Sequence, residues 1–152
     1  MQLLAAIRDK HGDRSLRRRL FSSILQSTPQ LSVDGMAADD GHNAQLPTYR
    51  CPSNSIFEYD FGDAAVWCFP PAELIGPLLK FLHGLRRARR HHHVVLCVPE
   101  RTHAGWFHYL RFYRRLFRYV AGSDLFRERN SAGLWKRLPP TREAWLILSS
   151  EP

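Results

Sequence analysis

Ala65-Val66-Trp67-Cys68-Phe69, closed by Pro70-Pro71, and Val94-Val95-Leu96-Cys97-Val98, closed by Pro99, are apolar at every position. A strand with one wet face alternates apolar and polar residues, whereas a strand apolar on both faces is covered on both, as in a parallel sheet. Between the two runs, Leu74, Leu78, Phe81 and Leu85 recur at helical spacing, and Ile75, Leu79 and Leu82 widen the stripe. The spacing predicts a helix over residues 72–90. Glu73 at its start and Arg86, Arg87, Arg89 and Arg90 at its end both suit the helix dipole. Pro77 falls close enough to the first turn to be tolerated. Strand, helix, strand in this order is the unit of an α/β sheet.

Reading outward, Trp106, Leu110, Tyr113 and Phe117 predict a second helix over residues 104–119, with Arg111, Arg114, Arg115 and Arg118 on its other face. Residues 144–148, Ala-Trp-Leu-Ile-Leu, read as a last strand. Upstream, Leu16, Leu20, Phe21, Ile24 and Leu25 predict an amphipathic helix over residues 14–26, stopped by Thr28-Pro29. Leu31-Ser32-Val33 is a short strand, and residues 34–56, rich in Asp, Gly, Asn, Pro and Ser, form a long loop of the kind that is functional when ordered. The expectation is an α/β fold: a mostly parallel sheet with helices on both faces. Residues 1–30 form a helical segment and residues 31–152 the α/β core of one domain.

At 152 residues the chain has the size of one domain and needs no disulfide or metal to hold its core. Apolar residues at 44% and charged residues at 24% argue against wholesale disorder. No apolar run is long enough for a membrane span. Cys51, Cys68 and Cys97 are too few for a disulfide framework or a four-ligand zinc site, and a reducing intracellular compartment (mitochondrion, nucleus or cytoplasm) suits them. Residues 1–10 lack a secretory layout, and Asp9 and Asp13 weigh against a transit peptide.

The basic residues exceed the acidic by 22 to 14, a net +8, and all but Lys10, Lys80 and Lys136 are arginine. The planar guanidinium suits bidentate phosphate contact, which makes nucleic acid the leading partner; a solvated basic surface is the bland alternative, and an anionic membrane surface a weaker third. His91-His92-His93 reads as a solvated linker, because adjacent side chains point in different directions and do not converge on one metal; no metal site is expected. His103 and His108 read as loop and surface residues, Cys68 as a core thiol, and Glu100 and Asp124 as structural.

Three stretches share a resemblance. Leu31-Ser32-Val33-Asp34-Gly35-Met36-Ala37-Ala38 with Asn43-Ala44 and Pro47-Thr48-Tyr49 is the first; Tyr59-Asp60-Phe61 with Val66-Trp67-Cys68-Phe69-Pro70-Pro71 is the second; Pro99-Glu100-Arg101-Thr102 with Trp106-Phe107-His108 is the third. In order and spacing, across residues 31–126, they resemble phage-type DNA N6-adenine methyltransferases, relatives of which occur as domains of tyrosine-recombinase retroelements. The resemblance implies a Rossmann-like methyltransferase fold that binds S-adenosylmethionine. It also implies an Asn or Asp before the two prolines that accepts hydrogen bonds from the target amine, and an aromatic after them that stacks on a flipped base. Asp34 falls on the acidic cofactor position, and Asp60 on the position near the cofactor's adenine.

The sequence departs from that pattern where the chemistry is done. Phe69 stands at the amine-acceptor position and Ala72 at the stacking position, flanking Pro70 and Pro71. A phenyl ring accepts no hydrogen bond from an amine, and a methyl group is no platform. The family's amino-terminal cofactor segment is also absent, with Arg17-Arg18-Arg19 near its place. The leading expectation is a non-catalytic, methyltransferase-like pseudoenzyme, a module that binds RNA or DNA. Arg86, Arg87, Arg89, Arg90, Arg101, Arg111, Arg114, Arg115 and Arg118 would contact the nucleic acid, and Tyr109 and Phe112 would add stacking. A ribonucleoprotein such as a mitochondrial ribosome would accommodate it, with other protein subunits as neighbours. The alternatives are an active S-adenosylmethionine-dependent adenine methyltransferase with an altered site, and a protein-interaction subunit of a large complex.

Overall fold

The computed structural model of the chain describes residues 14–129 and 132–151. Strand β1 (Arg14–Leu16) is followed by helix α1 (Arg18–Ser27), β2 (Leu31–Asp34) and β3 (Thr48–Tyr49). After a 3-10 turn (Ile56–Glu58) come β4 (Ala65–Cys68), helix α2 (Ala72–Arg87) and β5 (His93–Pro99). A 3-10 helix (Phe107–Phe112) leads into β6 (Arg114–Tyr119), then β7 (Phe126–Arg129), β8 (Trp135–Arg137) and β9 (Trp145–Ser149).

The protein is an α/β structure built on a mixed six-stranded sheet in the order β3-β2-β4-β5-β9-β6. The pairs β2–β3, β2–β4 and β4–β5 are parallel, while β9 runs antiparallel to both β5 and β6. A strand antiparallel to each of its neighbours leaves those neighbours running the same way, so β9 is the only reversed strand of this sheet. The sheet is therefore mixed, with its other five strands running one way, in keeping with the expectation of a mostly parallel sheet. A second sheet, β1-β7-β8, is antiparallel throughout and had no counterpart in the reading of the sequence.

The two apolar runs are buried on both sides, as their composition requires. Val66, Cys68, Val94, Leu96, Val98, Leu146 and Leu148 pack under α2 with Ile75, Leu78, Leu79 and Leu82. The alternate residues Ala65, Trp67, Val95, Cys97, Trp145 and Ile147 pack on the other face with Phe21 and Ile24 of α1. Each helix thus covers one face.

The loop expected over residues 34–56 includes the short strand β3, the helix expected over residues 72–90 ends at Arg87, and two other segments depart further from the sequence expectation. The helix expected over residues 14–26 begins only at Arg18, because residues 14–16 pair with β7 instead. Residues 1–13, including the segment read for targeting signals, lie outside the described residues. The helix expected over residues 104–119 is absent. A 3-10 helix ends at Phe112, Tyr113 turns extended at φ −115° and ψ 146°, and Arg114–Tyr119 form the edge strand of the large sheet. Hydrogen bonds to β9, a partner remote in sequence, outweigh a local helical periodicity.

The carboxyl end of α2 is a Schellman turn. The Arg90 N–H donates to the Leu85 carbonyl at 2.9 Å and the Arg89 N–H to the Arg86 carbonyl at 3.0 Å. Arg89 occupies the left-handed position, with φ 56°, where glycine is usual.

Candidate functional site

The chain leaves β2 toward β3 on one side and leaves β4 toward β5 on the other. The connections therefore diverge above the carboxyl ends of β2 and β4, the place where open α/β sheets form ligand crevices. Asp34 closes β2 there and is buried. Its Oδ1 accepts the Met36 N–H at 3.2 Å, and its Oδ2 accepts the Gln45 N–H at 2.8 Å. Gln45 in turn donates through its side-chain amide to Ser15 Oγ at 2.8 Å and to the Leu16 carbonyl at 2.6 Å. The buried Asn43 Oδ1 accepts the Ala38 N–H at 2.7 Å. The loop after β2 is thereby laced to itself and to β1.

A polar recess of about 210 Å³ opens at this point, bordered by Arg14, Asp34, Asn43, Gln45 and Phe69. Beside it lies an apolar recess of about 300 Å³ between Met36, Cys51, Ile56, Phe57, Pro71 and Leu74. Met36 borders both, and Gly35 lines the apolar one. A Cβ there would stand 2.7 Å from Ile56 Cδ1 and 2.8 Å from Val66 Cγ1, so core packing by itself demands glycine. Of the two carboxylates expected to hold a cofactor, Asp34 borders the polar recess. Asp60 is exposed and borders neither recess.

The residues around the two prolines fold into structure. Phe69 is 8% exposed, and its ring stacks on Phe126 of β7 at 5.1 Å and 11°. Its edge meets Trp145 of β9 at 5.9 Å, and Phe126 meets Trp145 at 4.7 Å. Pro70 and Pro71 are buried, and Ala72 is the half-buried first residue of α2. No amide or carboxylate stands where the resemblance places the amine acceptor, and no ring where it places the platform.

Eight of the nine candidate arginines, all but Arg115, separate into two groups. At the carboxyl end of the sheet, Arg101 makes a two-pronged pair with Glu143 at 2.9 Å on each arm. Arg118 does the same with Glu100 at 3.1 and 2.9 Å. Each carboxyl is held below its ordinary pKa by those hydrogen bonds. At the opposite end, Arg86 lies over the Phe112 ring at 4.3 Å and Arg111 lies over it at 4.7 Å. Arg87, Arg89 and Arg90 surround the exposed end of α2, and Arg114 begins β6 with its Nε 3.5 Å from the Glu151 carbonyl oxygen. None of these six forms an ion pair with a carboxylate among the described residues. The helix face expected of Arg111, Arg114, Arg115 and Arg118 is therefore not formed, and Arg111 instead meets Arg86 over one ring. The register on β9 places Arg115 and Arg118 on the face shared with Leu148 and Leu146, with Arg114 on the other.

The remaining candidates are structural. Cys51, Cys68 and Cys97 are free and buried, and burial pushes the Cys68 and Cys97 thiols well up. Asp124 pairs with Arg17 at 3.0 Å and Arg137 at 3.4 Å, tying α1 to the small sheet. His91 is exposed, while His92 and His93 are half-buried. Among the described residues no group of three His, Cys, Asp or Glu side chains is placed to hold a metal ion, and no helix is long and apolar enough to cross a membrane. Reading the sequence missed Glu143 and Gln45, whose partners are remote along the chain. It also missed His83, although that residue precedes Arg86 by one helical turn and so shares its face.

No family model matches the sequence, and no curated protein is similar enough to it to count as a relative. What the fold and the site define is an α/β protein with a mixed six-stranded sheet, a crevice above Asp34 and Phe69, and an arginine cluster at the opposite end.

Proposed function

We propose that the chain is a methyltransferase-like, non-catalytic module that binds nucleic acid through the arginines of the α2 end and the Phe107–Phe112 segment. The observation that carries this reading is the convergence of Arg86 and Arg111 on one phenyl ring, without a described carboxylate to neutralise them. Guanidinium groups held over an aromatic face without a carboxylate partner have N–H groups to offer a phosphate. A Rossmann-like methyltransferase ancestry agrees with the crevice at the divergence of β2 and β4. Loss of methyl transfer agrees with Phe69, whose ring belongs to an aromatic stack between the two sheets.

S-adenosylmethionine, if it binds, belongs in the crevice beside Asp34, where it would present a methyl group on a sulfonium. Asp34 would accept from a cofactor hydroxyl, and Asp60 takes no part at that place. The test of the whole reading is titration of a fluorescent single-stranded oligonucleotide at several salt concentrations, with a parallel calorimetric titration of the cofactor. Micromolar oligonucleotide binding that weakens with salt supports it. Binding indifferent to salt, or methyl transfer to adenine, overturns it.

A further inference from the structure

The molecule has a second cleft at the end opposite the Asp34 crevice, a space of about 410 Å³ between the last turns of α2, the Phe107–Phe112 segment and the strand ends below them. Its walls are His83, Arg86, His92, Tyr109, Phe112 and Tyr113. Three features make it unlike an ordinary surface fold. First, it is aromatic: the His83 ring stands 5.2 Å from both Tyr109 and Phe112, tilted 46° and 30° to them. Second, it is cationic: Arg86 lines it and lies over Phe112, the ring that Arg111 also covers from beyond the cleft walls. Third, His83, one of its walls, carries a buried Nδ1 that has no hydrogen-bond partner among the described residues. A buried polar group without a partner is uncommon and asks for one.

From these we infer that the cleft holds one nucleotide, its phosphate at Arg86 and Arg111 and its base among Tyr109, His83 and Tyr113, with His83 Nδ1 bonding the base edge. A planar base supplies what the walls lack, a flat apolar body with hydrogen-bonding edges, and the phosphate supplies the anion that the two guanidiniums lack. Inorganic phosphate alone would leave the aromatic walls unfilled, and an uncharged base would leave the guanidiniums unneutralised. The same chemistry is offered by an unpaired residue of a strand and by a free nucleoside monophosphate. The inference rests on the nucleic-acid reading above for the first source and stands without it for the second.

The experiment uses the purified chain and two probes, adenosine 5′-monophosphate and a fluorescent single-stranded dodecamer, against wild type, Arg86→Gln and His83→Phe. Arg86 is exposed, so its replacement leaves the fold intact, and His83→Phe keeps a ring in place while removing Nδ1; circular dichroism checks both. Arg142→Gln, exposed and outside the cleft, is the control. The expected result is a loss of tenfold or more for either cleft variant, against threefold or less for the control, with the dodecamer. Unchanged binding of the dodecamer by both cleft variants overturns the cleft while leaving nucleic-acid binding intact. Binding of the monophosphate alone, weakened by both variants, sustains the cleft and overturns the strand as its source. Binding of neither probe overturns both.

Discussion

At the scale of single residues, Phe69 decides more than any other. Its position before Pro70-Pro71 was legible as a departure from a catalytic pattern, since a phenyl ring lacks an acceptor. Its packing was not legible, because Phe126 and Trp145 come from elements far along the chain. Restoring an amide there is therefore expected to damage the fold. Phe69→Asn would leave a cavity and bury an unpaired amide, a cost of about 3–5 kcal/mol by analogy with core truncations. A urea titration checks this, and a loss below about 1 kcal/mol would place the ring outside the core. The thiols make a second prediction at this scale. Cys68 and Cys97 are fully enclosed and held protonated by burial, so a soluble thiol reagent should modify them no faster than the protein unfolds. Rapid labelling of the native protein, followed by mass spectrometry, would contradict their placement.

At the scale of elements, the two all-apolar strands and α2 were readable because their periodicities are local and strong, and each formed where the pattern put it. Residues 114–119 were not. Trp106, Leu110, Tyr113 and Phe117 satisfy a helical template, yet Tyr113, Phe117 and Tyr119 also suit a strand, and β9 was available to pair. The small sheet escaped notice for a similar reason, since three-residue and four-residue strands carry too little pattern. Two predictions belong here. Arg89 holds a left-handed turn at φ 56°, so Arg89→Gly should raise stability by about 0.5–1 kcal/mol. It should also weaken oligonucleotide binding, and denaturation and binding curves on one preparation separate the two effects.

His93 opens β5 with Nε2 buried and unpartnered, and burial lowers its pKa below the ordinary 6.5, with Glu151 opposing and His91 reinforcing the shift. The unfolded chain therefore binds the proton more readily, so this residue's contribution is full above pH 6.5 and falls as pH drops from there toward the depressed folded value. Unfolding midpoints between pH 7.5 and 5.5 should decline in the wild type and decline less in His93→Gln.

For the whole molecule, charge was the most legible property and its distribution the least. A net +8 was evident in the sequence. That Arg101 and Arg118 face glutamates, while Arg86 and Arg111 face a ring, was not, because ion pairing depends on what folding brings alongside. The resemblance to adenine methyltransferases put Asp34 and Asp60 at the cofactor and Phe69 at the amine-acceptor position; Asp34 and Phe69 border one recess at the divergence of β2 and β4, and Asp60 does not. If two to six of the clustered arginines meet phosphates, raising salt from 50 to 200 mM should weaken single-strand binding by about 7- to 340-fold. Each arginine removed should lower the logarithmic salt slope by about 0.7, and a slope unmoved by the loss of Arg87, Arg90 and Arg114 together would place the contacts elsewhere.

The stack of Phe69, Phe126 and Trp145 joins residues from the end of β4, from β7 and from β9, and so spans both sheets. Pulling the small sheet away would strip one face from Phe69 and bare the ring of Trp145 beneath it. The two sheets then have no separate melting points to show. In heavy water, the amides of β7, though they sit in a three-stranded sheet too slight to persist alone, should exchange on the same slow clock as those of β4.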